Sequence, residues 1–408
     1  MRAGAMHRER LVVIGNGMAG LRFLERLGTH APDRFDVTVV GAEASPAYNR
    51  VLLSSLLAQE VDEESCRFRE RRWYLQHGVR LITGAPATAI DAAEREVRVG
   101  DLTLLPFDRL VLATGSTPIR LAKPGMDLPG VMTFRDLADV AAIRAAARPG
   151  TRAVVIGGGL LGLEAAFGLV RYGVETTLVH VMDRLMERQL DARAAGLVKA
   201  ATERRGIRVL LEADTAAVEG DSRLLGVQLA DGRLIPADLV VVAVGVRPAT
   251  DLARAAGLEV RRGVAIDDAL ETSVPGIYAI GECAEHRGIA HGLVDPAYEQ
   301  ADILARRLGQ ANLLYEGSVP ATSLKVSGVP VFSAGDIHDN DNTIVFTDPG
   351  AAAYRKLVVR DDRLVGALLV GDVAESAWYL DLIRSGASIR PFRNHLMFGR
   401  SFAERSAA

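Results

Sequence analysis

The chain has 408 residues, 49% apolar and 24% charged, which suits a globular protein of two or three domains of about 150 residues each, with ample core. A net charge of −3, a pI near 6.3 and no basic cluster beyond short runs exclude the usual nucleic-acid binder, and no apolar run approaches the ~18 residues of a membrane span. The two cysteines, Cys66 and Cys283, form no C-x-x-C, which excludes a four-cysteine zinc or iron–sulfur site within the chain and a neighbouring redox pair.

Met1–Met6 is too short and polar for a signal peptide, so a cytoplasmic protein is expected, with both cysteines as structural thiols rather than a disulfide. The first strong pattern follows at Leu11–Leu24, LVVIGNGMAGLRFL. An apolar strand, Leu11-Val12-Val13-Ile14, runs into Gly15-Asn16-Gly17-Met18-Ala19-Gly20, and an amphipathic helix is predicted from about Met18. In this strand–turn–helix setting G-x-G-x-x-G signals dinucleotide binding. Gly15 permits the sharp turn, Gly17 lets a pyrophosphate approach the backbone, and Gly20 lets the helix pack close to the strand. The helix start at Met18 and Ala19 offers free N–H groups and a partial positive charge. A second strand, Val37–Val40, leads to Gly41-Ala42-Glu43. Glu43 stands where such a fold places an acidic partner for ribose hydroxyls.

A loop from Ala44 carries Tyr48-Asn49-Arg50 into an apolar helix; Arg50 reads either as a surface arginine or as a guanidinium beside a cofactor. Arg67–Gln76 is predicted helical and Val79–Gly84 a strand. Ala87–Asp91, Glu96–Val99 and Leu102–Leu104 alternate as a small antiparallel ribbon. Phe107–Gly115 is a buried strand ending at Ala113-Thr114-Gly115, and Ser116-Thr117-Pro118 an extended linker.

At Ala153 the opening pattern returns: Val154-Val155-Ile156-Gly157-Gly158-Gly159-Leu160-Leu161-Gly162-Leu163-Glu164, with Gly157 lying 142 residues after Gly15. Two such turns in the same setting are not chance. Here the second strand, Glu175–His180, ends in His180 where an acidic residue would favour NAD. That imidazole is either on the surface or in contact with the adenosine ribose or a 2′-phosphate, with Arg184 or Arg188 nearby. A helix over Ala192–Arg205, a strand at Arg208–Leu211 and a hairpin at Asp231-Gly232 lead to Leu239–Gly245 and Val246-Arg247-Pro248, a likeness of the strand ending at Gly115. Thr272–Glu282 reads as turn, strand and a Gly281-Glu282 end, followed by a helix from Tyr298 to Leu308. From Thr322 short strands are predicted at Leu324–Val326, Thr343–Phe346, Arg355–Val359 and Leu364–Val370, with a turn at Asp361-Asp362. A helix over Glu375–Ser385 follows, whose Trp378 and Tyr379 belong to core or interface.

Two dinucleotide folds, the A-T-G and A-V-G strand ends, Tyr278-Ala279-Ile280-Gly281-Glu282 and an α+β tail together resemble the pyridine nucleotide–disulfide oxidoreductase superfamily. Tyr48–Ser55, Leu185-Met186-Glu187-Arg188-Gln189-Leu190-Asp191, Gly281–Ala284, Gly292–Glu299 and Leu324–Val329 carry a closer likeness to the flavoprotein module of assimilatory NAD(P)H nitrite reductases. The resemblance implies an α/β fold of two Rossmann-like domains, the second inserted in the first, and a C-terminal α+β domain. The implied divisions are 1–117 and 247–320 for FAD, 118–246 for NAD(P), and 321–408. FAD would be held by Gly15, Gly17, Met18, Ala19, Gly20, Glu43, Arg50, the backbone near Ala87, Ala113-Thr114-Gly115 and Gly281-Glu282. Glu282 stands where most of the superfamily has Asp on the ribityl chain. The nicotinamide nucleotide would be held by Gly157, Gly159, Leu160, Leu161, Gly162, Glu164 and His180, with Gly245-Val246 beside it; NADH is favoured by the resemblance alone.

The departures shape the expected chemistry. Disulfide reductases carry C-x-x-x-x-C where this chain has Ser54-Ser55, so thiol chemistry is not expected, and no general acid or base is required. Ferredoxin reductases often carry a lysine near the flavin where this chain has Ser55, so that detail is missing too. The full nitrite reductase subunit continues into Cys-rich iron–sulfur and sirohaem domains, whereas this chain stops at Ala408. The expectation is a diaphorase that passes electrons from NADH through FAD to a separate redox protein, an assimilatory nitrate or nitrite reductase catalytic subunit. The alternatives are a rubredoxin or ferredoxin reductase of another pathway and a non-catalytic NADH-sensing flavoprotein.

Overall fold

The computed structural model describes residues 8–326, 328–338 and 342–407; the Met1–Met6 reading and Ser327 of the Leu324–Val329 segment lie outside them. The fold is α/β, and the chain divides into two compact units. The first comprises the residues up to Leu52, Asp62–Thr117 and Val246–Ser318; the second comprises Leu53–Val61, Pro118–Gly245 and the residues from Val319. The nine residues Leu53–Val61 thus group apart from the chain on either side of them.

In the first unit a five-stranded parallel sheet runs in the order Ile277–Ala279, Arg109–Leu112, Glu9–Ile14, Phe35–Gly41, Val79–Thr83. Its strands are apolar on both faces, as burial under helices on both sides requires. Leu11, Val13, Val39, Leu110 and Val111 have no exposed surface. Helices Met18–His30 and Val294–Leu308 pack on one another. The sheet order reverses direction at Glu9–Ile14, which places the ligand crevice of a doubly wound sheet at that strand's carboxyl end. Three short antiparallel strands, Ala87–Asp91, Glu96–Val99 and Thr103–Pro106, make the expected ribbon.

The second unit repeats the plan, with parallel strands ordered Arg208–Leu210, Glu175–Val179, Arg152–Ile156, Leu239–Val242, Val131–Thr133. The repetition extends to the other end of each central strand. Arg10 donates from its backbone N–H at 2.7 Å and from Nε at 3.1 Å to one oxygen of Asp108, and its other guanidinium nitrogen reaches the second oxygen at 2.8 Å. Arg152 makes the same fork on Asp238, at 3.0, 3.0 and 2.7 Å. Sequence reading missed this echo, because its partners are separated by 98 residues in one fold and 86 in the other.

The C-terminal part of this unit is a five-stranded antiparallel sheet in the order Ala321–Val326, Val329–Gly335, Arg363–Val370, Ala353–Arg360, Thr343–Asp348, under helix Ser376–Ser385. Tyr379 is in its core, whereas Trp378 packs on the core's margin. Strand Val329–Gly335 was not anticipated, since Pro330 demotes a run that would otherwise read as a strand. The structure accommodates the proline next to the turn residue Gly328, and its carbonyl accepts the Gly371 N–H at 2.9 Å. Among the described residues no helix is long and apolar enough to cross a membrane.

Two helical expectations are corrected. Only Arg71–Gln76 of Arg67–Gln76 is helical, because the backbone just before it pairs with a distant loop: Asn49 N–H donates to Cys66 O at 2.7 Å and Phe68 N–H to Ala47 O at 3.2 Å. The helix expected from Tyr298 begins at Val294; Pro296 falls in its first turn, where a missing N–H costs nothing.

Asp191 ties the nucleotide fold of the second unit to its C-terminal sheet. One carboxylate oxygen caps helix Ala192–Arg204 by accepting the Ala194 N–H at 2.9 Å. The other accepts the buried Tyr354 hydroxyl at 2.7 Å and lies 3.9 Å from the Lys356 ammonium. Asp191→Ala is expected to lose both the cap and the Tyr354 bond, about 2–4 kcal/mol of stability. Asp191→Asn keeps one acceptor oxygen for the Ala194 N–H and turns an amide donor toward the Tyr354 hydroxyl, so it should lose less; urea melts of the three proteins compare them.

Candidate functional site

Each unit builds its candidate site from one strand, one glycine turn and one helix. In the first, Gly15 has φ +113° and its N–H donates to Val40 O at 2.8 Å. A Cβ on Gly15 would stand 2.0 Å from Ala113 O, and one on Gly20 would stand 2.2 Å from Gly15 O. Both glycines are therefore demanded by the protein itself. In the second, Gly157 has φ +119°; its Cβ would meet Ala243 O at 2.3 Å, and that of Gly162 would meet Gly157 O at 1.8 Å.

Gly17 and Gly159 are different. They are the N-caps of helices Met18–His30 and Leu160–Val170, with φ −89° and −81°, values any residue adopts. A Cβ at either would have no atom within 4 Å. Among the described residues nothing requires them to be glycine. Neither helix has a side-chain cap or an acidic residue in its first turn, so their first N–H groups and positive ends remain for an anion. In the first turn Asn16 accepts the Tyr74 hydroxyl at 2.9 Å, while its buried Nδ2 has no partner. An open cradle, free helix N–H groups and an orphaned amide donor fit a dinucleotide pyrophosphate. Asn16 was not singled out from the sequence, as it occupies a variable place in the motif.

Of the other expected residues of the first unit, Ala113 and Gly281 contact the turn or the start of its helix. Ala113 N–H donates to Ile14 O at 2.8 Å, and Thr114 Oγ1 to Ala249 O at 2.9 Å, while Gly115 turns the chain with φ +69°. Gly281, at φ +79°, lies against the helix start, for its Cβ would come within 2.9 Å of Ala19 Cβ. Glu282 accepts the Ser116 hydroxyl at 2.7 Å. Glu43 accepts the Tyr48 hydroxyl at 2.7 Å and is ion-paired with Arg50, whose guanidinium lies over the Tyr48 ring. Gly84 N–H donates to Glu43 O at 2.9 Å, and the strand bearing Ala87 starts just beyond. Ala87 itself packs on the core.

In the second unit Leu160 and Leu161 form the first turn of the helix and Gly245 adopts φ +116°; Val246, which opens the strand Val246–Pro248, groups with the first unit instead. His180 is not a surface imidazole, contrary to one expectation: it is 8% exposed, and its ring fills the space beside Gly158, where a Cβ would meet it at 2.6 Å. Arg184 is bonded to Asp183 at 2.9 Å. Glu164 is partly buried on helix Leu160–Val170, and desolvation pushes its carboxyl up to about 7 although the Ser54 hydroxyl donates to it. Cys66 and Cys283 are buried and unbonded to one another. Burial raises both thiols, with Glu63 and Asp62 adding to the effect at Cys66.

Residues 9–302 match the family described as pyridine nucleotide-disulphide oxidoreductase, and residues 320–387 match the rubredoxin NAD+ reductase C-terminal domain. The chain is 44% identical to a nitrite reductase (NAD(P)H) of Bacillus subtilis (strain 168), over 94% of this chain and 48% of the relative. It is 40% identical to the assimilatory nitrate reductase electron transfer subunit of the same organism, over 92% of this chain and 49% of that one. The chain thus spans about half the length of these curated relatives. Among solved structures, the covalent putidaredoxin reductase–putidaredoxin complex aligns with a TM-score of 0.89 and 25% identity, covering 98% of each chain.

The glycines separate ligand from frame in a simple test. Gly17→Ala and Gly159→Ala should fold with stability within about 1 kcal/mol of the parent, yet each should lose dinucleotide affinity at its own turn. Gly15→Ala and Gly162→Ala should be insoluble or strongly destabilised; thermal melts and equilibrium dialysis distinguish the pairs. Glu164 gives a pH signature. Because its folded-state carboxyl titrates near 7 instead of 4.5, the folded chain binds the extra proton between these values, and this group's contribution to stability falls as pH rises through that window. Glu164→Gln should therefore exceed the parent by about 2 kcal/mol at pH 8 and match it near pH 5, as read from urea midpoints at the two pH values.

Proposed function

Because the chain belongs to the pyridine nucleotide-disulphide oxidoreductase family, we propose that it oxidises NAD(P)H for a separate redox protein, an assimilatory nitrate or nitrite reductase catalytic subunit. It is an oxidoreductase whose cofactors are FAD and NAD(P)H. When bound, the nucleotide supplies a hydride and the flavin takes it up and releases electrons singly or in pairs.

The doubled cradle carries this reading: at Gly17 and Gly159 the chain keeps glycine where only a ligand needs it. The first turn holds FAD. Gly15 and Gly20 shape it, Gly17, Met18 and Ala19 present N–H groups to the pyrophosphate, and Glu43, steadied by Tyr48 and Arg50, faces the ribose. Thr114-Gly115, the backbone near Ala87 and Gly281-Glu282 complete that site within residues 1–117 and 247–320. The second turn, within 118–246, holds the nicotinamide nucleotide through Gly157, Gly159, Leu160, Leu161 and Gly162, with Glu164 and Gly245-Val246 alongside. The buried, deactivated thiols of Cys66 and Cys283 offer no relay, which favours an electron acceptor outside this chain. The relative named as an electron transfer subunit of nitrate reductase supports the choice of acceptor, and such a partnership belongs in the cytoplasm.

A second reading is supported by the match to the rubredoxin NAD+ reductase C-terminal domain and the likeness to putidaredoxin reductase: the acceptor would then be a small iron–sulfur protein. Anaerobic mixing with NADH should bleach the bound flavin rapidly, and addition of an assimilatory nitrate reductase catalytic subunit together with nitrate should restore its colour while nitrite accumulates. Rapid reoxidation by rubredoxin with the nitrate enzyme inert would establish the second reading instead. Bleaching without turnover on any acceptor would mark a sensor.

A further inference from the structure

Where a dinucleotide fold presents a carboxylate to the adenosine ribose, at the end of its second strand, this chain has the buried His180. The ring is committed on both sides. Its Nδ1 accepts the Gly158 N–H at 3.0 Å, and its Nε2 stands 3.2 Å from Glu187 Oε2. A backbone N–H can only donate, so Nδ1 carries no proton and the ring proton is on Nε2, directed at Glu187. The histidine thus relays from the glycine turn to a carboxylate one ring further out.

Glu187 is held in place from both sides. Leu185, Met186 and Leu190 have no exposed surface, and Met186 N–H donates to Gly158 O at 3.0 Å. Its side chain keeps 25% exposure, and its other oxygen, Oε1, makes a long ion pair with the exposed Arg188, at 4.0 Å from Nε. One carboxylate oxygen is therefore fixed by the histidine, and the other is held only by a long pair to an exposed arginine that can swing away.

We infer that Glu187 is the residue by which this chain selects NADH over NADPH, with His180 as its positioning residue; the inference rests on the reading that the second fold binds the nucleotide. Oε1 accepts a hydrogen bond from a ribose hydroxyl, whereas a 2′-phosphate would be set against a carboxylate that the relay prevents from turning away.

The test is steady-state ferricyanide reduction by the FAD-loaded protein with each nucleotide. The parent should prefer NADH. Glu187→Gln should lower the NADH-to-NADPH ratio of kcat/KM about tenfold, through KM and with kcat, flavin content and melting temperature unchanged. His180→Phe, which keeps the ring and loses both bonds, should relax the ratio in the same direction. A parent that prefers NADPH, or a Glu187→Gln protein with an unaltered ratio, overturns the inference while leaving the nucleotide site in the second fold. Gly159→Ala should weaken both nucleotides alike; if it alters neither KM, the reading of the second fold fails and the inference fails with it.

Discussion

A carbonyl oxygen pressed against a glycine underlies both halves of this chain. At Ala113 and at Ala243 the end of one strand lies so close to the turn leaving its neighbour that no side chain fits between them. That closeness brings the helix down onto the sheet and aims its first turn at the crevice where the strand order reverses. The second glycine contact, Gly20 or Gly162 against the turn's own carbonyl, locks the helix at that distance. Tight packing at these four positions leaves an open space at Gly17 and Gly159. The frame is closed where it touches itself and open at the two helix starts.

The surroundings of the two turns then diverge. In the first, Glu43 lies two residues beyond its strand and is braced by a tyrosine and an arginine from the next loop. In the second, a histidine takes the strand-end place and a loop with three buried side chains brings up the carboxylate. The same backbone geometry therefore recurs in two different settings, with the difference written in a few residues beyond each second strand.

Much of this was legible in the sequence because it depends on local backbone demands. A positive φ at Gly15 or Gly157, and the close approach at Gly20 or Gly162, can be met by glycine alone and therefore leave a spaced signature. The alternation in the C-terminal strands and the apolar runs of the parallel strands were legible for the same local reason. What escaped notice depends on distant partners. The break before Arg71 arises from backbone pairing with Ala47–Asn49, and strand Val329–Gly335 was hidden by a proline that its neighbours tolerate. The burial of His180 is set by a glycine 22 residues earlier and a glutamate seven residues later. No window along the chain shows such pairings.

The forks of Arg10 on Asp108 and of Arg152 on Asp238 sit at the far end of the central strands from the glycine turns. Each joins the first residues of one strand to the segment entering its neighbour, at a distance of a whole strand from the crevice. Such a layout is a chassis: the fastening and the working face share a beam but no parts. Loops at the crevice end are free to be exchanged, lengthened or recharged without loosening the sheet. One duplicated frame can thus take on two cofactors and continue to diversify.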